Sequence, residues 1–142
     1  INPNHIDKVI LWHQKNYNFD IVVPSLKVKN IDTPHIVKIV RSNKRVLYFS
    51  RAKVPFPFNK DNDTYLKHLS IISFKPNALK KFKKLKQGNL EKIEGIELMR
   101  ALENNMQIGT FELKGSGFSV DTKDDFIKEK KYIVNDQYRK EY

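Results

Sequence analysis

Apolar and polar positions along this chain follow two rhythms, a helical one of roughly 3.6 residues and a strand one of roughly two. From Asn4 to about Tyr17, the residues Ile6, Val9, Ile10, His13 and Tyr17 share one helical stripe and Asn4 offers an N-cap, which predicts an amphipathic helix. Phe19-Asp20-Ile21-Val22-Val23 is a β-branched apolar run closed by Pro24 and predicts a buried strand, which Ser25 to Val28 extend past the proline. After a break at Thr33-Pro34, His35 to Val40 is strand-like again. Ser42-Asn43-Lys44 separates it from Arg45 to Phe49, the spacing of a β-hairpin. Lys53 to Thr64 is polar and broken by prolines, with Lys60-Asp61-Asn62-Asp63 at its centre, and predicts a mobile loop. That loop lacks the central glycine and terminal glutamate of an EF-hand, so its acidic residues do not read as a calcium site.

Tyr65 to Phe74 predicts one further strand, and Pro76 opens a helix in which Leu79, Phe82 and Leu85 form the buried stripe and Gly88 the C-cap. Leu90 to about Asn105 predicts a single helix. Steps of ~100° place Glu97 between Leu90, Ile93 and Ala101, on the side that should face the protein. A carboxylate there either serves the protein's chemistry or pairs with Arg100 one turn on. Met106 to Leu113 predicts a strand, Gly115-Ser116-Gly117 a turn, and Phe118-Ser119-Val120 a short strand leading into Asp121. A last helix gathers Phe126, Ile127, Ile133 and Val134 on one side, and Asn135 to Tyr142 reads as a frayed end. Strands and helices alternate around one hairpin, which predicts an α/β fold with a mixed sheet flanked by helices.

At 142 residues and 39% hydrophobic composition the chain supports one domain with a real core. No apolar run approaches the ~20 residues of a membrane span. The absence of cysteine excludes disulfides and thiolate metal sites, fits a cytoplasmic location, and leaves oxygen and imidazole as the available metal ligands. A net charge of +11 implies an affinity for anions: nucleic acid, a membrane surface or small acidic substrates. The lysines from Lys80 to Lys86 have no aromatic platform among them and read as a solvated face rather than a nucleic-acid footprint. His13, on the apolar side of the first helix, reads as a packed core histidine without a chemical role. The chain opens on Ile1 and runs almost at once into a helix, which reads as a fragment of a longer protein.

Candidate chemistry begins where Arg45-Val46-Leu47-Tyr48-Phe49-Ser50 ends abruptly in Arg51. Ligands of open α/β sheets collect outside the carboxyl ends of strands, though from spacing alone Arg51 equally opens a solvated loop. The order strand, Ser50-Arg51, then Ala52-Lys53-Val54-Pro55 resembles the signature of CMP-Kdo synthetases, the 3-deoxy-manno-octulosonate cytidylyltransferases. Three further segments resemble that family in the same order. Leu66-Lys67-His68-Leu69-Ser70-Ile71 is similar to its Arg/Lys-His-Leu-Gly-Ile strand, Leu90 to Asn104 to its Leu-Glu-X-X-Glu-X-Leu-Glu-Gln-Leu-Arg helix, and Val120-Asp121-Thr122-Lys123-Asp124-Asp125-Phe126 to its closing Val-Asp-Thr segment. Ile1-Asn2-Pro3 is similar to the residues just past the family's Gly-Asp-Glu-Pro motif. The resemblance therefore implies that residues 1–142 are the C-terminal, sugar-binding and dimerisation part of a Rossmann-like, nucleotide-diphospho-sugar transferase-like fold, without the nucleotide-binding part.

The resemblance further implies transfer of CMP from CTP to an acidic sugar such as Kdo with loss of pyrophosphate, for surface polysaccharide biosynthesis. It implies Mg²⁺ as cofactor and a homodimer, while the chain's own sequence points to neither a membrane partner nor nucleic acid. Arg51 and Asp121 would be catalytic; Arg51 would fork onto the sugar carboxylate, His68 and Glu97 would hold sugar hydroxyls, and Asp121 would be a Mg²⁺ ligand. Without the resemblance, Asp121 reads as a helix cap. Ile72 stands where the family has Tyr and Leu98 where it has Gln, both at sugar-contact positions, so a nine-carbon acid of the neuraminate type and a non-catalytic dimerisation module remain open alternatives. The 142 residues alone are expected to be inactive, since the CTP-holding groups are missing.

Overall fold

The computed structural model describes residues 2–29, 31, 33–58, 64–115 and 123–134. In chain order they form α1 (Pro3–Lys15), β1 (Ile21–Val22), β2 (Ser25–Lys29), β3 (Lys38–Ser42), β4 (Arg45–Ser50), β5 (Thr64–His68), β6 (Ser73–Phe74), α2 (Pro76–Lys84), α3 (Asn89–Glu94), α4 (Leu98–Glu103), β7 (Ile108–Gly109) and α5 (Lys123–Val134). The strands make one seven-stranded sheet in the order β2-β5-β3-β4-β7-β1-β6. β1 and β7 pair in parallel and the other strand pairs are antiparallel, so the sheet is mixed as expected. The expected loop centre at 59–63, the short strand at Phe118–Val120, Asp121 and the closing residues 135–142 lie outside the described residues.

The β3–β4 hairpin turns at Asn43-Lys44, with Asn43 at φ 52° and a bulge at Val40/Arg41. Asparagine tolerates that left-handed backbone, which is why so short a turn forms here. The core lies between this sheet and α2 to α4, where Ile21, Val46, Phe49, Met99, Ala101 and Ile108 are fully shielded. A smaller cluster of Val9, Phe19 and Val22 packs beneath α1, closed by stacking of Trp12 on Phe19 and Phe111 at 5.7 and 5.0 Å.

Several expected phases change in the folded chain. α1 is capped by Asn2, not Asn4: the Asn2 side chain accepts the Asn4 N–H at 2.9 Å, and Pro3 takes the first helical position. Its buried stripe is His5, Val9 and His13, spaced by four, while Ile6, Ile10 and Tyr17 are exposed. His13 is a packed core residue as expected, with Nε2 against the Phe19 carbonyl at 3.1 Å and Nδ1 against Ser73 Oγ at 2.7 Å. The run Tyr65 to Phe74 is two strands: β5 joins β2 and β3, whereas β6 pairs with β1 at the opposite edge of the sheet. An apolar run reports burial and not which partner supplies it. In α2 the buried residue is Ala78, and Leu79 is exposed. Gly88 ends no helix; it is the N-cap of α3, where a Cβ would run into the Glu103 carboxylate that accepts the Leu90 N–H at 3.0 Å.

Candidate functional site

The hairpin and the return of β5 bring one end of the sheet to a focus. Lys38 opens β3 opposite Ser50, the last residue of β4, and also lies opposite Lys67 of β5. Ser50, Arg51, Lys38 and His68 therefore leave the sheet on the same side, joined by the His68 N–H to Val37 carbonyl bond at 2.9 Å. The carboxyl ends of β4 and β5 and the loop before β3 thus lie together at one end of the sheet.

Arg51 is held there from several directions. Its Nε donates to the Glu94 carbonyl at 2.8 Å, one terminal nitrogen to the Pro34 carbonyl at 2.8 Å and the other to the Gly95 carbonyl at 3.3 Å. Its backbone N–H donates to Glu94 Oε2 at 2.9 Å, and its carbonyl accepts from Lys38 Nζ at 2.6 Å. The guanidinium thus caps the exposed carbonyls where α3 ends, a place that favours a cation. Arg51 stands at the head of the largely exposed loop 51–58, held in place by these bonds. Of five guanidinium N–H donors, three are spent on backbone carbonyls and two have no protein acceptor among the described residues. Two donors are what a carboxylate accepts in a forked pair.

Glu94 and Lys38, which the sequence reading did not single out, build this arrangement. Glu94 Oε1 accepts from Ser50 Oγ at 2.8 Å while Oε2 takes the Arg51 N–H, so one carboxylate ties α3 to the end of β4. Burial pushes the Tyr48 phenol upward, and the neighbouring Glu94 carboxylate adds to the rise. Lys38 is only 1% exposed, and its Nζ also reaches the Thr33 carbonyl at 2.8 Å. A signal existed for Lys38: a lone cation inside the β-branched run His35 to Val40. Glu94 had none beyond its place in a helix motif.

His68 packs edge-on against Phe49, ring centroids 6.0 Å apart, and its Nε2 is buried without a hydrogen-bond partner among the described residues. Burial pushes the imidazole down to about 4; Glu97 opposes the shift and Lys67 adds to it. The ring is therefore neutral at physiological pH, able to donate or accept one further hydrogen bond.

Glu97 is exposed, not turned toward the protein as expected. The predicted helix breaks at Gly95, which adopts φ 63°, ψ 37°, so that α3 ends at Glu94 and α4 starts afresh after Glu97. Ala101, past the break, is buried as expected, while Glu97 falls in the break and turns outward. The inward carboxylate is Glu91, 5% exposed, and it rather than Glu97 pairs with Arg100: Nε to Oε2 at 2.6 Å and a terminal nitrogen to Oε1 at 2.5 Å. Those hydrogen bonds hold the Glu91 carboxyl below its ordinary range. Glu97 remains near enough to His68 for its carboxylate to oppose the fall in the imidazole pKa.

Asp121 lies outside the described residues. Among the described residues no three His, Asp or Glu side chains come together as a metal site, so the expected Mg²⁺ has no ligand set among them. Two surface clefts, of about 370 Å³ beside Tyr17 and Lys75 and about 510 Å³ beside Asn43 and Leu47, are lined by none of Arg51, His68 or Glu97. No helix among the described residues is long and apolar enough to cross a membrane.

Comparison with known proteins agrees with this architecture. A family model described as cytidylyltransferase matches residues 1–108. The 3-deoxy-manno-octulosonate cytidylyltransferase of Rickettsia felis is 40% identical over 138 residues, covering 95% of this chain and 54% of the relative. That of Rickettsia rickettsii is 38% identical over 138 residues, covering 95% and 55%. The solved structure of CMP:2-keto-3-deoxy-manno-octonic acid synthetase complexed with CTP superposes with a TM-score of 0.84 at 25% identity, covering 95% of this chain and 57% of that one. The chain spans about half the length of the curated relatives it matches. The family match falls in the N-terminal three quarters of this chain, and these extents lend no support to the expected C-terminal placement within a longer enzyme.

Proposed function

The chain belongs to the cytidylyltransferase family, and from that premise we propose that it supplies the acidic-sugar side of a cytoplasmic enzyme that transfers CMP from CTP to a 3-deoxy-ulosonic acid such as Kdo, releasing pyrophosphate. The observation that carries this reading is Arg51, anchored by three N–H groups on backbone carbonyls with two donors left over among the described residues, at the same end of the sheet as His68, whose buried Nε2 has no hydrogen-bond partner among them. Such a pair suits a sugar that carries a carboxylate and hydroxyls.

In the reaction a sugar hydroxyl oxygen bonds to the α-phosphorus of CTP as the bond to pyrophosphate breaks. The residues of this chain hold the acceptor. Arg51 receives its carboxylate in a fork, neutral His68 bonds one hydroxyl through Nε2, and the exposed Glu97 accepts from another. Fixing the acceptor in line with the phosphorus converts an encounter between two anions into a positioned attack. Mg²⁺, with Asp121 among its ligands, belongs to the same reading; it would offset charge on the phosphoryl oxygens. The enzyme is proposed to act as a homodimer.

The test is a chimera in which this chain replaces the matched segment of the Rickettsia felis relative. Supplied with CTP, Mg²⁺ and Kdo, it is expected to form CMP-Kdo and pyrophosphate, and Arg51→Lys should abolish most of the rate because an ammonium cannot present a fork. A chimera that folds yet activates neither Kdo nor nine-carbon ulosonic acids sinks the proposal. Activation of a nine-carbon acid alone moves the substrate without moving the reaction.

A further inference from the structure

We infer that Glu94 is the positioning residue of the acidic-sugar site: its carboxylate sets the place and direction of the Arg51 guanidinium and so governs affinity for the sugar's carboxylate. This rests on the function proposed above for Arg51. It assigns a role to a residue that would touch no substrate.

The geometry is unusually complete for one side chain. Glu94 Oε2 accepts the Arg51 N–H at 2.9 Å and Oε1 accepts the Ser50 hydroxyl at 2.8 Å, while Ser50 Oγ in turn accepts the Ala52 N–H at 3.0 Å. The last three residues of the β4 exit are thereby tied to one carboxylate. The backbone of the same residue closes the loop, since the Glu94 carbonyl takes the Arg51 Nε–H at 2.8 Å and Gly95 takes a terminal N–H at 3.3 Å. Arg51 is thus gripped at its main chain by the Glu94 side chain and at its side chain by the Glu94 main chain, across 43 positions of sequence.

Such a ring of bonds does more than add stability. A free arginine has several rotatable bonds, and a forked contact with a carboxylate forms only from a narrow range of guanidinium orientations. Fixing the main chain and Nε beforehand removes most of the ordering that sugar binding would otherwise require. The left-handed turn at Gly95 contributes by exposing the Glu94 and Gly95 carbonyls to the guanidinium; a side chain at Gly95 would also meet Arg51 Nε at 3.8 Å. Removing the Glu94 carboxylate leaves every guanidinium acceptor in place, since all three are backbone carbonyls, and takes away what holds the strand end against them.

Two measurements judge this. The first needs no catalysis: in the labelled 142-residue chain, Arg51 Nε–H exchange with solvent is followed by NMR in the wild type, Glu94→Ala and Glu94→Gln. Glu94→Ala is expected to speed that exchange at least ~10-fold although its carbonyl acceptor is untouched, with Glu94→Gln between the two. Unchanged Nε–H exchange overturns the inference. The second uses the active chimera: Glu94→Ala should raise KM for Kdo at least ~10-fold, Glu94→Gln less, and KM for CTP should stay within about two-fold for both. Glu103→Ala, which removes the cap at the other end of α3, serves as the control for plain destabilisation and should lower Tm without moving KM for Kdo. Equal rises in both KM values, or a KM for Kdo that tracks Tm across all three variants, reduces Glu94 to a structural brace and overturns the inference. If Glu94→Ala does not fold, Glu94→Gln gives the same two readings. An inactive wild-type chimera sinks the function and leaves the positioning role to be decided by the exchange measurement alone.

Discussion

His68 shows how far a single residue's surroundings decide its chemistry. Burial against Phe49 lowers its imidazole to about 4, with the Glu97 carboxylate opposing and Lys67 reinforcing the shift. An NMR titration of the folded chain should therefore show a His68 midpoint near 4, against about 6.5 for an exposed histidine. The effect on stability has a definite sign. The unfolded chain takes up this proton first as pH falls, so the His68 contribution is complete above about 6.5 and is lost progressively down to about 4. His68→Gln should flatten that part of the pH–stability curve. A midpoint near 6.5 would mean that the ring is solvated and would remove it as a neutral hydroxyl partner.

Among the elements, the break between α3 and α4 changes most. A continuous helix from Leu90 to Asn105 would turn Glu97 inward; the left-handed Gly95 ends α3 before it, and within α3 the buried acid is Glu91 while Ile93 is 78% exposed. The Glu91–Arg100 pair is bidentate, and Arg100 also donates to the Leu85 carbonyl at 3.3 Å and covers the Phe82 ring at 5.1 Å. Removing one partner of a buried pair strands the other. Glu91→Ala is expected to cost ~3–5 kcal/mol in urea unfolding, whereas Glu97→Ala should stay within ~0.5 kcal/mol. Similar costs for the two would mean that the helix runs unbroken. Glu112 works in the same way at the sheet: a hydrogen bond from Lys27 of β2 and the charge of Arg41 of β3 hold its carboxyl below the ordinary range.

For the whole molecule, one sheet carries both the core and the end at which Arg51 and His68 stand, and the apolar side chains described in α5 bury little against it. Phe126, Ile127, Ile133 and Val134 share a side of that helix as expected, yet all are at least half exposed. Replacing Phe126, Ile127, Ile133 and Val134 together by Ala should therefore lower the Tm by less than ~4 °C, about 1 kcal/mol for a domain of this size, as calorimetry would show. A fall of 10 °C or more would mean that α5 packs on the body of the chain in solution.

What the sequence determined by itself is local and periodic. The β-branched runs at Ile21–Val22 and Arg45–Ser50, the turn at Asn43, the helix opening at Pro76 and the mixed α/β class all follow from side-chain sterics acting over a few residues. The segments around Arg51, His68 and Glu97 could also be picked out, because chemistry-bearing residues stood in recognisable order. What only the tertiary structure decided is which faces are buried and which groups meet. Apolar runs do not name their partners, so Tyr65 to Phe74 read as one strand although its halves join opposite ends of the sheet. A single glycine in the left-handed region broke a helix ahead of Glu97, and the packing of α3 made Glu91 the inward acid. The bonds from Glu94 and Lys38 to Arg51 span 43 and 13 positions and depend on the hairpin register and the angle at which α3 meets β4. Such contacts leave no periodic trace in the chain, because hydrogen bonds between distant residues are set by packing and not by spacing.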